Sequence, residues 1–309
     1  MIDAPFAHAS STLSKNDDYR GAAAVKMKKV TFRFISEPAA QVAALLAGDI
    51  DGMPRFGALQ SLKQFQGDAR FAVVAGGTEG KTIVSINNRR KPFDDVRVRR
   101  ALAAAIDRKA VIDGSQDGVA KPIGSHMVPS DAGYVDLTAT NPYDPEKAKA
   151  LLKEAGVTLP LNITLSLPPP EYARKGGEIV AAQLAKVGVI AKIENVEWAQ
   201  WLSGPFKGNF DLTMISHVEP LDFDRYSDPK YYWGYDSKAY NKLLADYNGS
   251  TDTKTRLKLI GDIQRLLAAD SVNVYLYQLP QFAVGKKQLK GMWSSSPIFA
   301  NDLAALSWQ

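Results

Sequence analysis

Cysteine is absent from the 309 residues. That excludes a disulfide framework, a thiolate metal site and a cysteine nucleophile. Histidine is scarce: His8, His126 and His217 are the only three. None neighbours another in sequence, so no zinc or nickel site built from clustered ligands is expected, and no cofactor. No run approaches ~18 consecutive apolar residues, so no transmembrane helix is expected. The chain also lacks a Gly-x-Ser-x-Gly nucleophile elbow and a Gly-x-x-x-x-Gly-Lys-Ser/Thr phosphate loop. Ser216 and His217 are adjacent, but neighbours on a strand point to opposite faces and cannot form a nucleophile–base dyad. An enzyme is therefore not expected, and no catalytic residue is assigned. The opening Met1-Ile2-Asp3-Ala4-Pro5 has neither a basic nor an apolar leader region, so no secretory signal peptide is expected there.

What is present suits an ordered globular chain. Hydrophobic residues make up 45% and charged residues 23%, enough apolar surface to offset the entropy of ordering. At ~150 residues per domain, the length suggests about two domains. The net charge of +5 comes from 38 basic and 33 acidic residues that are well interspersed. The densest basic stretches, Asn88–Lys91 and Arg97–Arg100, are too short for the broad stripe that nucleic-acid binding wants. Arg97, Arg99 and Arg100 read as a solvated face with salt bridges.

Hydrophobic periodicity alternates between strands and helices. Val30–Ile35 alternates as a strand. Pro38 then suits a first helical position, Val42, Leu45 and Leu46 share a helical face, and Gly48 stops the helix. Ile50–Gly52 reads as a short returning strand. Phe71–Ala75 and Thr82–Asn87 read as two strands, with Gly76-Gly77 between them as a turn or hinge. Val98, Ala101, Leu102, Ala105 and Ile106 form a helical stripe, and a helix follows Asp144-Pro145-Glu146 and ends at Gly156. Leu161–Leu167, Val189–Glu194 and Phe210–Ile215 read as strands, separated by a helix over about 175–187 and a helical turn carrying Trp198 and Trp201. That order argues for a parallel or mixed sheet with right-handed crossovers. Helices near Ser237 and over Thr253–Ala269, then a strand over Val272–Leu279, complete the pattern.

Four phrases, in consistent order, resemble one family: the solute-binding proteins of ATP-binding-cassette importers that carry peptides, nickel complexes and related solutes. They are Lys91-Pro92-Phe93-Asp94-Asp95-Val96-Arg97-Val98-Arg99-Arg100-Ala101-Leu102 with Ala105–Arg108, Tyr143–Gly156, Glu37–Asp51, and Asn16-Asp17-Asp18-Tyr19-Arg20-Gly21. The resemblance implies an α/β fold, type II periplasmic-binding-protein-like, with a large C-terminal lobe and an incomplete first lobe. Residues 83–285 would form the second lobe, and 1–82 with 286–309 the partial first lobe, joined by linkers near Gly76–Gly80 and Gly285–Lys287. It implies a non-enzymatic, periplasmic receptor that captures a peptide-like or related small solute between lobes. Such a receptor would deliver the solute to the permease subunits of an importer. A rival reading is a truncated, non-binding fragment that associates with another chain through its incomplete lobe.

Two departures from the family pattern bear on specificity. The family's N-terminal stretch has no counterpart here. The Gly-Trp-x-x-Asp-like motif, whose acid pairs with a peptide's α-amino group, is replaced by Met214-Ile215-Ser216-His217-Val218-Glu219-Pro220-Leu221-Asp222-Phe223. Glu219 or Asp222 is left to anchor a cation.

The segment Ser216–Tyr235 is the leading candidate for ligand contact. It follows a buried-looking strand, and ligands of open α/β sheets sit beyond the carboxyl ends of strands. It carries Ser216, His217, Glu219, Asp222, Asp224, Arg225, Tyr231, Tyr232 and Trp233, mixing broad aromatic area with polar groups that set orientation. Trp198 and Trp201 share a helical face, one to line a cleft and the other to fill the core. Asn87, closing the strand that enters the second lobe, is the last candidate, as a ligand donor or as the end of a turn.

Overall fold

The computed structural model describes residues 10–35, 37–295 and 301–309; His8 lies outside the described residues. The chain divides into two compact units, Met1–Thr78 with Gln281–Gln309, and Glu79–Pro280. The boundaries at 78/79 and 280/281 stand a few residues before the sequence-based ones at 82/83 and 285/286.

The first unit opens with β1 (Ser10–Ser14), antiparallel to β2 (Lys29–Arg33), Thr12 facing Thr31. Helix α1 (Pro38–Ala47) starts on its proline and ends at Gly48, whose φ of 83° favours a residue without Cβ. It turns Val42, Ala44 and Leu45 inward. Beyond it come β3 (Gly52–Met53), α2 (Leu62–Gln66) and the first part of β4 (Phe71–Ile86). These elements share one core in which Phe56, Phe65 and Phe71 meet edge to face at 5.3 and 5.1 Å.

The two expected strands at 71–75 and 82–87 are one, β4. Gly76-Gly77 makes no turn. A Cβ on Gly76 would lie 1.5 Å from the Ser294 carbonyl oxygen, so the glycine marks a close backbone approach within a strand. The chain therefore crosses the unit boundary at 78/79, inside the span Gly76–Gly80 expected as a linker, in an extended strand rather than a turn.

The second unit continues with α3 (Val96–Ala105), α4 (Arg108–Gln116), β5 (Lys121–Pro122), α5 (Pro145–Glu154), β6 (Leu161–Leu167), α6 (Glu171–Ala185), β7 (Val189–Asn195), α7 (Trp198–Ser203), β8 (Leu212–His217), α8 (Lys238–Gly249), α9 (Thr253–Ala269) and β9 (Asn273–Lys286). The helices start where capping side chains accept backbone N–H groups. Asp95, Asp107, Asp144, Ser237 and Asp252 do this at α3, α4, α5, α8 and α9. Within this unit the sheet runs β9–β4–β8–β6–β7, with β5 on β9. β6 is parallel to β7 and β8, while β8 is antiparallel to β4; the sheet is mixed.

Period-two alternation sends Val84, Met214 and Val274 to one face and Ile83, Ile215 and Tyr275 to the other. On the first face they join the core under α3 to α6. On the second they join Tyr226, Trp233 and Tyr240 with Ile260, Ile263 and Leu267 of α9.

Helix α4 has no counterpart in the sequence reading, because Val111 and Ile112 are its only buried hydrophobics and make no stripe. Helix α6 begins earlier than expected; Gly176 and Gly177 sit inside it where a Cβ would meet Met214 at 2.4 Å and Leu167 at 2.5 Å. The second linker region, at Gly285, is also strand, the end of β9. There Gly285 and Val284 pair with β3. Beyond it, β10 (Leu289–Lys290) pairs with β11 (Ser307–Trp308).

Candidate functional site

In the second unit, β6, β7 and β8 all end at one edge of the sheet, where Lys81 on the antiparallel β4 faces His217. His217 is the last residue of β8, so its side chain falls on the face carrying Ile215 and Ile83. Ser216 points to the opposite face, and its N–H donates to the Tyr172 hydroxyl at 3.0 Å. The chain then turns through a 3-10 segment, Asp222–Ser227, that brings Asp222 back beneath His217.

These residues form a buried network with a formal charge balance. Lys81 is 1% exposed, and its ammonium lies 2.8 Å from Asp222 Oδ1. It donates also to the Glu219 carbonyl at 2.5 Å. Asp222 faces two imidazoles: His126 Nε2 at 3.0 Å from Oδ1 and His217 Nδ1 at 3.0 Å from Oδ2. The far nitrogens meet tyrosines, with the Tyr226 hydroxyl 2.9 Å from His126 Nδ1 and the Tyr232 hydroxyl 2.8 Å from His217 Nε2. Asn273 Nδ2 donates to Tyr226 at 2.8 Å. Every ring nitrogen is paired: each histidine turns one nitrogen to Asp222 and the other to its tyrosine hydroxyl.

The electrostatics follow from this packing. Complete burial pushes the His126 imidazolium down to about 4, against the pull of Asp222. Burial alone would raise the Asp222 carboxyl, but His126 and His217 facing it outweigh that and hold it well below the usual carboxylate range. Burial raises the Tyr226 and Tyr232 hydroxyls well above their ordinary value.

The structure thus joins three candidates, His217, Asp222 and Tyr232, to Lys81 and His126, which sequence reading did not single out. His126 and Asp222 are 96 positions apart, so no local pattern could have revealed the cluster. The two histidines, unclustered in sequence, meet Asp222 in space, with ligand atoms within 4.8 Å of one another.

The other candidates are placed differently. Glu219 keeps its side chain 66% exposed, with Oε2 3.8 Å from His217 Nδ1. Trp198 is 43% exposed and meets Trp201 edge to face at 5.9 Å, while Trp201 is buried and donates to Thr213 Oγ1. Trp233 is wholly buried and stacks on Tyr226 at 4.2 Å. It fills the core beneath the site. Asn87 is not part of the cluster. It follows the other end of β4, about 20 Å from Lys81 at ~3.3 Å per residue, and donates to the Gly208 and Phe210 carbonyls at 2.9 and 3.0 Å. Its side chain ties a turn.

A cavity of about 800 Å³ in the first unit is lined by residues including Phe32, Phe34, Met53, Trp293 and Trp308. No candidate residue lines it.

Comparison with known proteins settles the lineage. The family model for bacterial extracellular solute-binding proteins, family 5 (middle region), matches residues 7–240. The chain belongs to this family. The dipeptide-binding protein of Escherichia coli (strain K12) is 30% identical to it over 230 residues, 67% of this chain and 42% of that protein. The nickel-binding periplasmic protein of the same organism is 26% identical over 303 residues, 89% of this chain and 57% of that protein. The periplasmic binding protein DppA from Helicobacter pylori, solved in complex with peptide STSA, superposes with a TM-score of 0.82 at 25% identity, covering 96% of this chain and 60% of that one. This family 5 chain has the α/β periplasmic-binding-protein fold and spans about half the length of the curated relatives it matches. Family 5 proteins are solute-binding transport proteins. Among the described residues no helix is long and apolar enough to cross a membrane.

Proposed function

We propose that the chain is the solute-capturing component of a periplasmic ATP-binding-cassette importer, and that the strand-end edge of its second unit seats a small, peptide-like or related solute. The observation that carries this reading is the Lys81–Asp222–His126–His217 network. It ties the end of β8 to β4 from beneath and leaves Glu219 and Trp198 presented to solvent. Rigid support under a few exposed polar and aromatic groups is what solute recognition needs. The permease subunits of the importer are the partner on this reading, and no chemistry is performed on the solute.

The network also bears on specificity. Asp222 already has a buried ammonium, so it does not serve as the anchor for a ligand's α-amino group. Glu219 keeps an exposed carboxylate at this edge. A solute carrying a cationic group would meet Glu219, with Trp198 supplying apolar area.

Native mass spectrometry of the purified chain tests this. A monomer carrying a discrete mass that is lost on denaturation, and reduced by Glu219→Gln or Trp198→Ala, is the expected result. An empty dimer would support the rival instead, a non-binding fragment that pairs with another chain.

A further inference from the structure

We propose that His126, His217 and Asp222 form a binding site for a single divalent transition-metal ion, Zn²⁺, Ni²⁺ or Cu²⁺. The three residues are buried, and their ligand atoms lie within 4.8 Å of one another. They arrive from separate pieces of chain: the loop after β5, the end of β8, and the turn behind it. Two imidazoles and one carboxylate are the donor set these ions take, with a fourth position left for water.

The surroundings are those of a ligand set. A metal-bound histidine needs its other nitrogen held, which fixes the ring and its tautomer. Both rings have this: Tyr226 stands 2.9 Å from His126 Nδ1 and Tyr232 stands 2.8 Å from His217 Nε2. Tyr226 is itself held by Asn273. With an ion present, each ring carries its one proton on the tyrosine-facing nitrogen and turns a lone pair to the ion.

Lys81 is the competitor. Its ammonium at 2.8 Å is the counter-charge of Asp222 without an ion, so the ion and the ammonium are alternatives for one carboxylate. Lys81 keeps the Glu219 carbonyl at 2.5 Å as a second acceptor, which lets it yield Asp222 without becoming unpaired. The site needs neither a peptide nor an importer, so it stands or falls apart from the transport reading.

Equilibrium dialysis of the chain against Zn²⁺, Ni²⁺ or Cu²⁺, with bound metal measured by mass spectrometry, is the test. One ion per chain is expected. A Co²⁺-loaded sample is expected to show ligand-field absorption bands of low coordination number. His126→Gln with His217→Gln keeps a donor toward Asp222, so the fold can be checked by circular dichroism, and it should abolish uptake and the Co²⁺ bands. Tyr232→Phe should weaken binding by about tenfold through the lost ring support. Lys81→Met should tighten it. No uptake by either the wild-type chain or Lys81→Met overturns the proposal, as does uptake that survives the double glutamine variant.

Discussion

At the scale of single residues, the decisive group is Asp222, one carboxylate answering three buried donors. Removing its charge leaves the Lys81 ammonium desolvated with neutral acceptors alone. Breaking a buried pair from one side costs about 3–5 kcal/mol, and Asp222→Asn is expected to lower stability by that order, read as a shift in the urea midpoint at unchanged slope. A shift below about 1 kcal/mol would mean that Lys81 reaches water.

Two residues before Lys81, Glu79 poses the opposite case. Partial burial, and then the hydrogen bond and charge of Asp131, raise its carboxyl from 4.5 to about 7. Its folded value lies above its unfolded one, so the stability it contributes is complete below about 4.5 and is lost as pH rises through about 7. Glu79→Gln should leave stability at pH 4 unchanged and raise it at pH 8. Because the group is only partly buried and water screens it, the gain is under about 1 kcal/mol. Denaturant titrations at both values read it directly, and an equal effect at both would rule out the carboxyl pair as the cause.

At the scale of elements, most strands and helices followed from local periodicity; α4, without an apolar stripe, did not, and the false break in β4 came from glycine. Helix α9 runs over Thr253–Ala269 where its stripe of Leu257, Ile260, Ile263, Leu266 and Leu267 placed it. The stripe is a local property of 3.6-residue spacing. Gly76-Gly77 carried a turn signal, yet lies within β4 because another backbone passes over it. The Ser294 carbonyl sits where a Cβ would be, a contact 218 positions distant in the neighbouring Gly77–Ser295 bond. Gly76→Ala should therefore destabilise the first unit by about 1–3 kcal/mol through overpacking. A flexible hinge glycine would instead tolerate alanine or gain from it. Thermal denaturation of the variant distinguishes the two.

At the scale of the whole molecule, each unit carries its own apolar core, one around Phe56, Phe65 and Phe71, the others on the two faces of the mixed sheet. Separate cores predict separate melting. Calorimetry is expected to resolve two transitions, with Phe65→Ala lowering one by about 3–5 kcal/mol while the Trp233 environment in the other unit is unmoved. A single transition that shifts as a whole would show the two cores to be one cooperative unit. The sequence by itself determined the α/β order, most of the helices and the family, because these rest on spacing and phrases within tens of residues. It also placed Ser216 and His217 on opposite faces, since strand alternation requires it. Only the tertiary structure decided what His217 meets. His126 arrives from 96 positions before Asp222, and Lys81 from the antiparallel neighbour of β8. Both are set by strand pairing and crossover, which local periodicity does not encode. The same pairing sent Asn87 to the far end of β4, because a strand that presents Lys81 at one edge of the sheet must leave at the other.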